Sequence, residues 1–327
     1  MSGSPEVSVV IPTRNRWPIL SETLAIVLGQ EEVDLEVVVV DDASTDETPA
    51  RLAEMHEPRL RVLRNDPNRG VAGARNRGLE AAGAEWVAFL DDDDLWAPRK
   101  LRTQLDALAR SGALFAYGAA VVLDEEKDEV RPDAPAPDPA DLPKLLLRGN
   151  ALPGGCSNVV TRATAARAAG GFDERLSMLA DWDLWLRLSD RGAGVRCPEV
   201  LVAYRKHARN MTLLDLGHMD HELDYFARKQ RDERGMQFDY VGYSRWLAGE
   251  AATPATAARL YLRTAARYRS PGNAALALTT LLGGRSAKAA ARRVRAAVRA
   301  RGGAPAGEPI ASPGWLEPHR PGAANRS

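Results

Sequence analysis

Four acids in a row, Asp91-Asp92-Asp93-Asp94, follow the apolar pair Phe89-Leu90 and precede Leu95-Trp96. Carboxylates do not gather without a reason. Two unit charges about 4 Å apart repel by roughly 1 kcal/mol in water and by about 4 kcal/mol at an effective dielectric near 20. Such a run therefore needs solvent, protonation or a cation. The chemistry it suits is capture of a hard divalent ion, Mg2+ or Mn2+, which in turn holds a substrate phosphate. If the extended geometry of Trp86 to Leu90 persists, Asp91 and Asp93 share one side and Asp92 points away. The competing reading is a solvated acidic turn capping a helix that starts at Pro98. The run alone supports both.

Other clusters of the same kind recur along the chain. Pro12-Thr13-Arg14-Asn15 follows one apolar run, and Asp41-Asp42-Ala43-Ser44 follows another. Asn68 to Gly78 combines glycines, including Gly73, that permit close backbone approach with arginines, including Arg75, that can pair with phosphate oxygens. It is neither a Walker loop nor a G-x-G-x-x-G, and a turn with a solvated face is its bland alternative. Asp181 shares a helix face with Leu184, Trp185 and Leu188. Burial there would raise its pKa toward the range of a general base, whereas a role as helix N-cap would hold it down. Val200 to His207 reads as a short strand ending on a histidine. His218 and His221 lie among acids on a polar helix face toward which nothing else converges.

Elements of ordinary α/β type must position these groups. Val7–Ile11, Leu35–Val40, Leu60–Leu63 and Trp86–Leu90 are β-rich runs separated by helical segments, 17–28, 46–55 and 71–82, the pattern of a buried, mainly parallel sheet with covering helices. In an open sheet of this kind ligands bind beyond the carboxyl ends of the strands, so the polar clusters should meet at one edge. A further strand is expected over 113–123, then an acidic, Pro-rich loop or lid over 124–141. Tight turns are expected at Gly154-Gly155 and Gly170-Gly171. From Asp215 the composition shifts to Ala, Arg and Leu in helical stretches, breaking near Thr253-Pro254, Ser270-Pro271 and Gly283-Gly284. The boundaries expected are 1–212 for the α/β domain, 213–301 for a helical appendage and 302–327 for a disordered tail.

With 327 residues, 45% hydrophobic and 27% charged, the chain can bury a sizeable core, and 44 basic against 44 acidic residues leave no overall bias toward nucleic acid or anionic membranes. A local bias exists: Arg285 to Arg301 is basic with no acid and suits peripheral contact with an anionic membrane, a solvated helix or an RNA-attracted tail. Cys156 and Cys197 form neither a disulfide framework nor a zinc set, and the start lacks a signal-peptide pattern, so a cytoplasmic setting is expected. No run approaches the ~20 apolar residues of a membrane span.

Taken together, Val7 to Thr212 resembles the family 2 glycosyltransferases, which have the GT-A fold, a Rossmann-like sheet that binds a nucleotide-sugar. The resemblance rests on motif order: Val7–Asn15, Val38–Asp46, Asn68–Gly78, the Asp-x-Asp motif in Phe89–Pro98, Gly170–Glu174 with Asp181–Trp185, and Tyr204–His207. It implies nucleotide-sugar contacts from Pro12, Arg14, Asp42, Asn68, Gly73, Arg75, Asp91 and Asp92, with Asp42 reading a uracil-type base. It implies Mn2+ or Mg2+ at Asp93 and His207, Asp181 as catalytic base, and an acceptor side at Gly171, Trp182 and Asp183. The expected activity is inverting transfer from a UDP- or TDP-sugar to a hydroxyl of a saccharide or lipid-linked acceptor at the inner face of the membrane, with no specific nucleic acid. Ala180 stands where the family usually has Glu. That departure leaves a non-catalytic nucleotide-sugar binder as the alternative. A nucleotidyltransferase is disfavoured, because Pro12 to Arg16 lacks its Gly-rich pyrophosphate loop.

Overall fold

The computed structural model describes residues 4–207, 210, 216–250, 253–281 and 313–320. The chain forms two compact units, one from residues 1–207 with 309–327 and one from residues 208–308.

In the first unit, β1 (Val7–Thr13) pairs in parallel with β2 (Leu35–Asp42) and with β4 (Trp86–Phe89), and β2 pairs in parallel with β3 (Leu60–Asn65). Both faces of β1 and β2 are covered, which is why they read as unbroken apolar runs. Helix α1 (Trp17–Leu28) opens with Pro18 in its first turn and buries Leu20, Leu24 and Val27 in the cluster that holds Val7, Val9 and Ile11. Helices α2 (Thr48–Glu54) and α3 (Gly70–Ala81) complete the crossovers. Gly78 lets α3 lie tight on β1: a Cβ there would stand 2.2 Å from Val10 Cγ1.

Beyond β4 the sheet is mixed. Its order is β3-β2-β1-β4-β8-β6-β9-β5, where β5 is Leu95–Trp96, β6 is Phe115–Asp124, β8 is Val160–Arg162 and β9 is Gly194–Lys206. The pairs β4–β8, β6–β8 and β5–β9 are antiparallel, while β6–β9 is parallel. Helix α4 (Lys100–Ser111) stops at left-handed Gly112. It begins two residues after Pro98, which sits in the preceding turn and not in the first helical turn as expected. The expected lid also differs: β7 (Glu129–Pro132) pairs with β6, and Asp133 accepts from Gly154 N at 2.8 Å. Its polar sequence up to Pro132 belongs to a paired hairpin, while 133–141 carries no helix or strand, as expected of a loop. Short helices α5 (Leu142–Leu146) and α6 (Ala163–Ala168) precede α7 (Ala180–Ser189).

The unit is completed by residues read from sequence as disordered. A 3-10 turn, Gly314–His319, buries Leu316 completely among Leu95, Val121, Leu123 and Ala203, and Trp315 Nε1 donates to Val200 O at 3.3 Å. Two apolar side chains suffice to anchor a Pro- and Gly-rich segment that composition alone marks as loose. The remainder of 302–327 lies outside the described residues.

The second unit is helical: α8 (Leu216–Arg234), α9 (Tyr240–Glu250), α10 (Pro254–Tyr268) and a helical run over 271–281. Thr253 caps α10 by accepting from Thr256 N. Phe226, Phe238, Tyr240, Tyr243 and Tyr268 form a chain of ring contacts inside it. Among the described residues no helix is long and apolar enough to cross a membrane. Gly283-Gly284 and Arg285 to Arg301 lie outside the described residues, as does the side chain of His218. His221, the other histidine of that pair, is exposed.

Candidate active site

The acid run does not continue the strand. Asp94 N donates to Asp91 O at 3.2 Å, a tight turn that replaces the two-residue alternation of an extended chain. The consequence is a different partition of carboxylates from the expected Asp91/Asp93 pairing. Asp91 pairs with Arg75, while Asp92 and Asp93 share Arg16, whose Nη1 lies 2.9 Å from Asp92 Oδ1 and 2.6 Å from Asp93 Oδ2. Asp94 turns inward, accepting from Ser157 Oγ and, at 3.0 Å, from Arg205 N. Every acid thus has a hydrogen-bonding partner, with Arg16 shared by two of them, which is how four can coexist.

Burial pushes the Asp92 carboxyl up to about 7, aided by neighbouring Asp93 and opposed by Arg16 and Thr13 Oγ1, the latter 2.7 Å away. Burial acts on Asp93 as well, but His207 and Arg16 outweigh it and hold that carboxyl below the usual range. Negative charge is thus concentrated on Asp93. Its Oδ2 lies 3.1 Å from His207 Nε2. Two ligand atoms adjacent on an octahedral ion with bonds of about 2.1 Å stand about 3 Å apart, so this pair fits two sites on one divalent ion. Among the described residues no cluster of three or more such ligands exists. Asp92, expected at the ribose, is 6% exposed and bonded to Thr13 and Arg16, so it faces the interior of the turn.

The parallel strands deliver the remaining donor-side groups to the same edge. Pro12 is buried at the end of β1, opposite Val40, and Arg14 beyond it is exposed. Asn15 accepts from Thr45 N at 2.7 Å and so ties the loop after β1 to the loop after β2. Asp42 Oδ1 accepts from Asn65 Nδ2 and Arg69 N at 2.7 and 2.8 Å, which orients the carboxyl at the head of α3. Asn68 bonds Asp42 O and Gly70 N. Gly73 lies against Arg69: a Cβ there would stand 2.7 Å from Arg69 Cβ. Arg75 is buried, its guanidinium paired with Asp91 and standing 5.3 Å from the Phe172 ring centroid.

On the other side, Asp181 is inside the first turn of α7, with Leu179 at the cap position, so the N-cap reading fails. Burial raises its carboxyl to about 6, with Arg75, Trp182 N and Asn150 pulling the other way and Asp91 adding to the rise. Trp182 N donates to Oδ1 at 2.7 Å and Asn150 Nδ2 to Oδ2 at 3.0 Å. Gly155, at φ +55°, faces this carboxylate: its Cβ would be 3.4 Å from Asp181 Oδ2. Gly171, at φ +65°, lies against Asn76, which bonds both the amide and the carbonyl of Phe172 at 2.7 and 2.9 Å. Trp182 is buried with its indole on Leu146 O. Asp183 does not face an acceptor: it is wholly buried and paired with Arg187 one helical turn on.

Sequence reading named Asp94 in the acid run without a role of its own, and overlooked Arg16, Asn150 and Ser157. Ser157 joins the pieces: its Oγ also accepts from Asp91 N at 3.1 Å and its carbonyl accepts from Trp96 Nε1 at 2.8 Å. Only Arg16 carried a signal, as a cation directly after the first polar cluster. Asn150 and Ser157 reach the site from far along the chain.

The family described as Glycosyl transferase family 2 matches residues 8–167. The Succinoglycan biosynthesis protein ExoO of Rhizobium meliloti is 32% identical over 66% of this chain, which spans 65% of ExoO's length. The Escherichia coli UDP-Glc:alpha-D-GlcNAc-diphosphoundecaprenol beta-1,3-glucosyltransferase WfgD is 30% identical over 61% of this chain and 76% of its own. Among solved structures, the mannosyltransferase PcManGT of Pyrobaculum calidifontis, in complex with GDP-Man and Mn2+, superposes with a TM-score of 0.55 at 24% identity, covering 90% of this chain and 86% of that one. TarS 1-349 of S. aureus in complex with UDP gives 0.50 at 19%, covering 86% and 92%. The chain belongs to glycosyltransferase family 2 and has the GT-A fold.

Proposed function

We propose that this glycosyltransferase moves a sugar, with inversion, from a nucleoside-diphosphate sugar to an acceptor hydroxyl. The observation that carries the reading is that one buried arginine, Arg75, serves both halves of the site. It pairs with Asp91 of the acid run and also acts on Asp181. Donor-binding acids and a carboxylate whose pKa is pushed up to about 6 therefore share one electrostatic unit. Asp181 takes the proton of the acceptor hydroxyl as its oxygen attacks the anomeric carbon, and the bond to the diphosphate breaks with its electron pair leaving on the phosphate oxygen. A single displacement inverts the centre. Asp93 and His207 would hold a divalent ion, which when bound neutralises charge on the leaving diphosphate. Imidazole ligation favours Mn2+ over Mg2+.

Asp42, oriented by Asn65 and Arg69 N, suits the N–H of a pyrimidine base, so UDP- or TDP-sugars are the proposed donors, with Pro12, Arg14, Asn68 and Gly73 around the nucleotide and Asp91 at the ribose. The cleft beside Asp181, flanked by Gly155 and Gly171, takes the acceptor. WfgD, by its name, joins a UDP-sugar to a diphosphate-lipid-linked sugar, and ExoO belongs to polysaccharide synthesis. The same class of acceptor, saccharide or lipid-linked, in envelope polysaccharide or glycolipid synthesis is proposed here, with Arg285 to Arg301 as the peripheral membrane contact. Ala180 is wholly buried and brings no second carboxylate, so a binding protein without turnover is the rival reading.

Calorimetry of UDP, TDP and GDP with and without Mn2+, on wild type and Asp93→Ala, tests the donor site. Mn2+-dependent binding of one nucleotide, lost in the variant, is the expected result. Absence of binding under every condition would remove the reading.

A further inference from the structure

Asp93 Oδ2, the oxygen placed to bind a divalent ion, is already in contact with a cation. Arg16 Nη1 stands 2.6 Å from it, closer than His207 Nε2 at 3.1 Å. The same nitrogen also reaches Asp92 Oδ1 at 2.9 Å. A guanidinium bound on the ligand oxygen and an ion bound there exclude one another, because both need the same lone pairs and the same space. The other acids are not in this position: Asp91 has Arg75, and Asp94 has Ser157 and Arg205 N. Asp92 would keep Thr13 Oγ1 if Arg16 left. Asp93 is the acid whose arginine partner must be exchanged for the ion.

Arg16 is also the more exposed of the two arginines whose side chains pair with the acid run. It precedes α1 at the end of the loop after β1, and its side chain is 17% exposed, against 5% for Arg75.

We propose that Arg16 is a resident counter-cation of the acid run, displaced from Asp93 when the divalent ion binds and then paired with the donor's diphosphate. The inference rests on the ion site proposed above and adds an exchange to it. In the free protein the arginine keeps Asp92 and Asp93 from repelling each other. In the loaded protein the ion takes over that task, and the released fork meets two phosphate groups whose geometry suits bidentate pairing. Metal and diphosphate binding are thereby coupled through one side chain.

The test is Mn2+ titration of the full chain, followed by the EPR signal of free Mn2+, for wild type, Arg16→Gln and Arg16→Lys without nucleotide, then UDP and GDP titration of each Mn2+-loaded protein. Removal of the competitor should tighten Mn2+ binding by about tenfold in Arg16→Gln. Binding of the nucleoside diphosphate to the loaded variant should weaken by about tenfold or more, with Arg16→Lys between the two. Equal or weaker Mn2+ binding in Arg16→Gln, with wild type binding the ion, overturns the exchange alone and leaves the ion site standing. Failure of every protein to bind Mn2+ overturns both. A wild-type crystal grown with Mn2+ and the better-bound nucleotide provides a readout independent of variant folding: Arg16 still on Asp93 Oδ2 would refute the proposal, and Arg16 on the diphosphate would support it.

Discussion

Replacing Asp181 by Asn should make the protein more stable at neutral pH while making it nearly inert. The carboxyl is pushed from 3.8 up to about 6 by burial, with Arg75 only partly offsetting it. A shift of about two units corresponds to about 3 kcal/mol between the protonation states. The sign follows from proton counts. The folded chain holds this proton more tightly than the unfolded chain, so the contribution to stability is fully present below about pH 3.8 and is lost as pH rises through about 6. Above pH 7 the folded protein carries an unfavourably buried anion. Asparagine removes the charge, but an amide has one acceptor oxygen where the carboxylate offers one each to Trp182 N and Asn150 Nδ2. That mismatch takes back about 1–2 kcal/mol. Urea denaturation at pH 8 should show a net gain of about 1–2 kcal/mol, and at pH 5 no gain. Transfer assayed by release of nucleoside diphosphate in the presence of acceptor should fall by about 10²–10⁴. In wild type, kcat/KM should rise tenfold per pH unit up to about 6 and then level off, a limb the variant lacks. A variant within tenfold of wild-type turnover, or a wild-type profile already flat at pH 5, would refute both the base assignment and the electrostatics behind it.

Lys100 is wholly buried over the Trp96 ring, 3.7 Å from its centroid, with no hydrogen-bond acceptor among the described residues for its amine, and burial holds its pKa well below the ordinary value. Lys100→Met should raise stability at pH 7 by about 1–3 kcal/mol. Wild type should itself become more stable as pH climbs toward 10, because the unfolded chain keeps a proton that the folded one releases; a lower urea midpoint for the variant would show that the ring contact outweighs the burial. Leu316→Ala should cost about 2–5 kcal/mol in the same assay, since the side chain is fully enclosed between β5, β6 and β9. A loss under 1 kcal/mol would mean that the 3-10 turn is only loosely held.

The readable parts of this protein were those set by local pattern. The bounds 17–28 for α1 were correct because Pro18 marks its start and its apolar residues keep helical spacing, and β1 and β2 announced themselves as apolar runs covered on both faces. The convergence of polar clusters at one sheet edge followed from parallel topology. What escaped was decided by one local turn and by distant partners. A turn closed by one backbone hydrogen bond regrouped the four acids, which no alternation rule anticipates. Asn150 reaches Asp181 from 31 residues away and Ser157 reaches Asp94 from 63, both through segments whose composition is ordinary. The family resemblance placed Asp183 on the acceptor side along with its motif, yet two residues beyond Asp181 along a helix is most of the way to the opposite face. The burial of Leu316 was hidden by a surrounding sequence of prolines and glycines.

That last contact bears on how the chain is made. The apolar cluster of Leu95, Val121, Leu123 and Ala203 is incomplete until Leu316 has been synthesised, 113 residues after Ala203. At a synthesis rate of about 5–20 residues per second, the sheet waits roughly 6–23 s with that patch uncovered. During this interval the nascent chain presents an apolar surface next to the acid run, one that chaperones or neighbouring chains can occupy. A ribosome stalled among the later helices would therefore hold a sheet that has every residue of its candidate active site and still lacks its last core side chain.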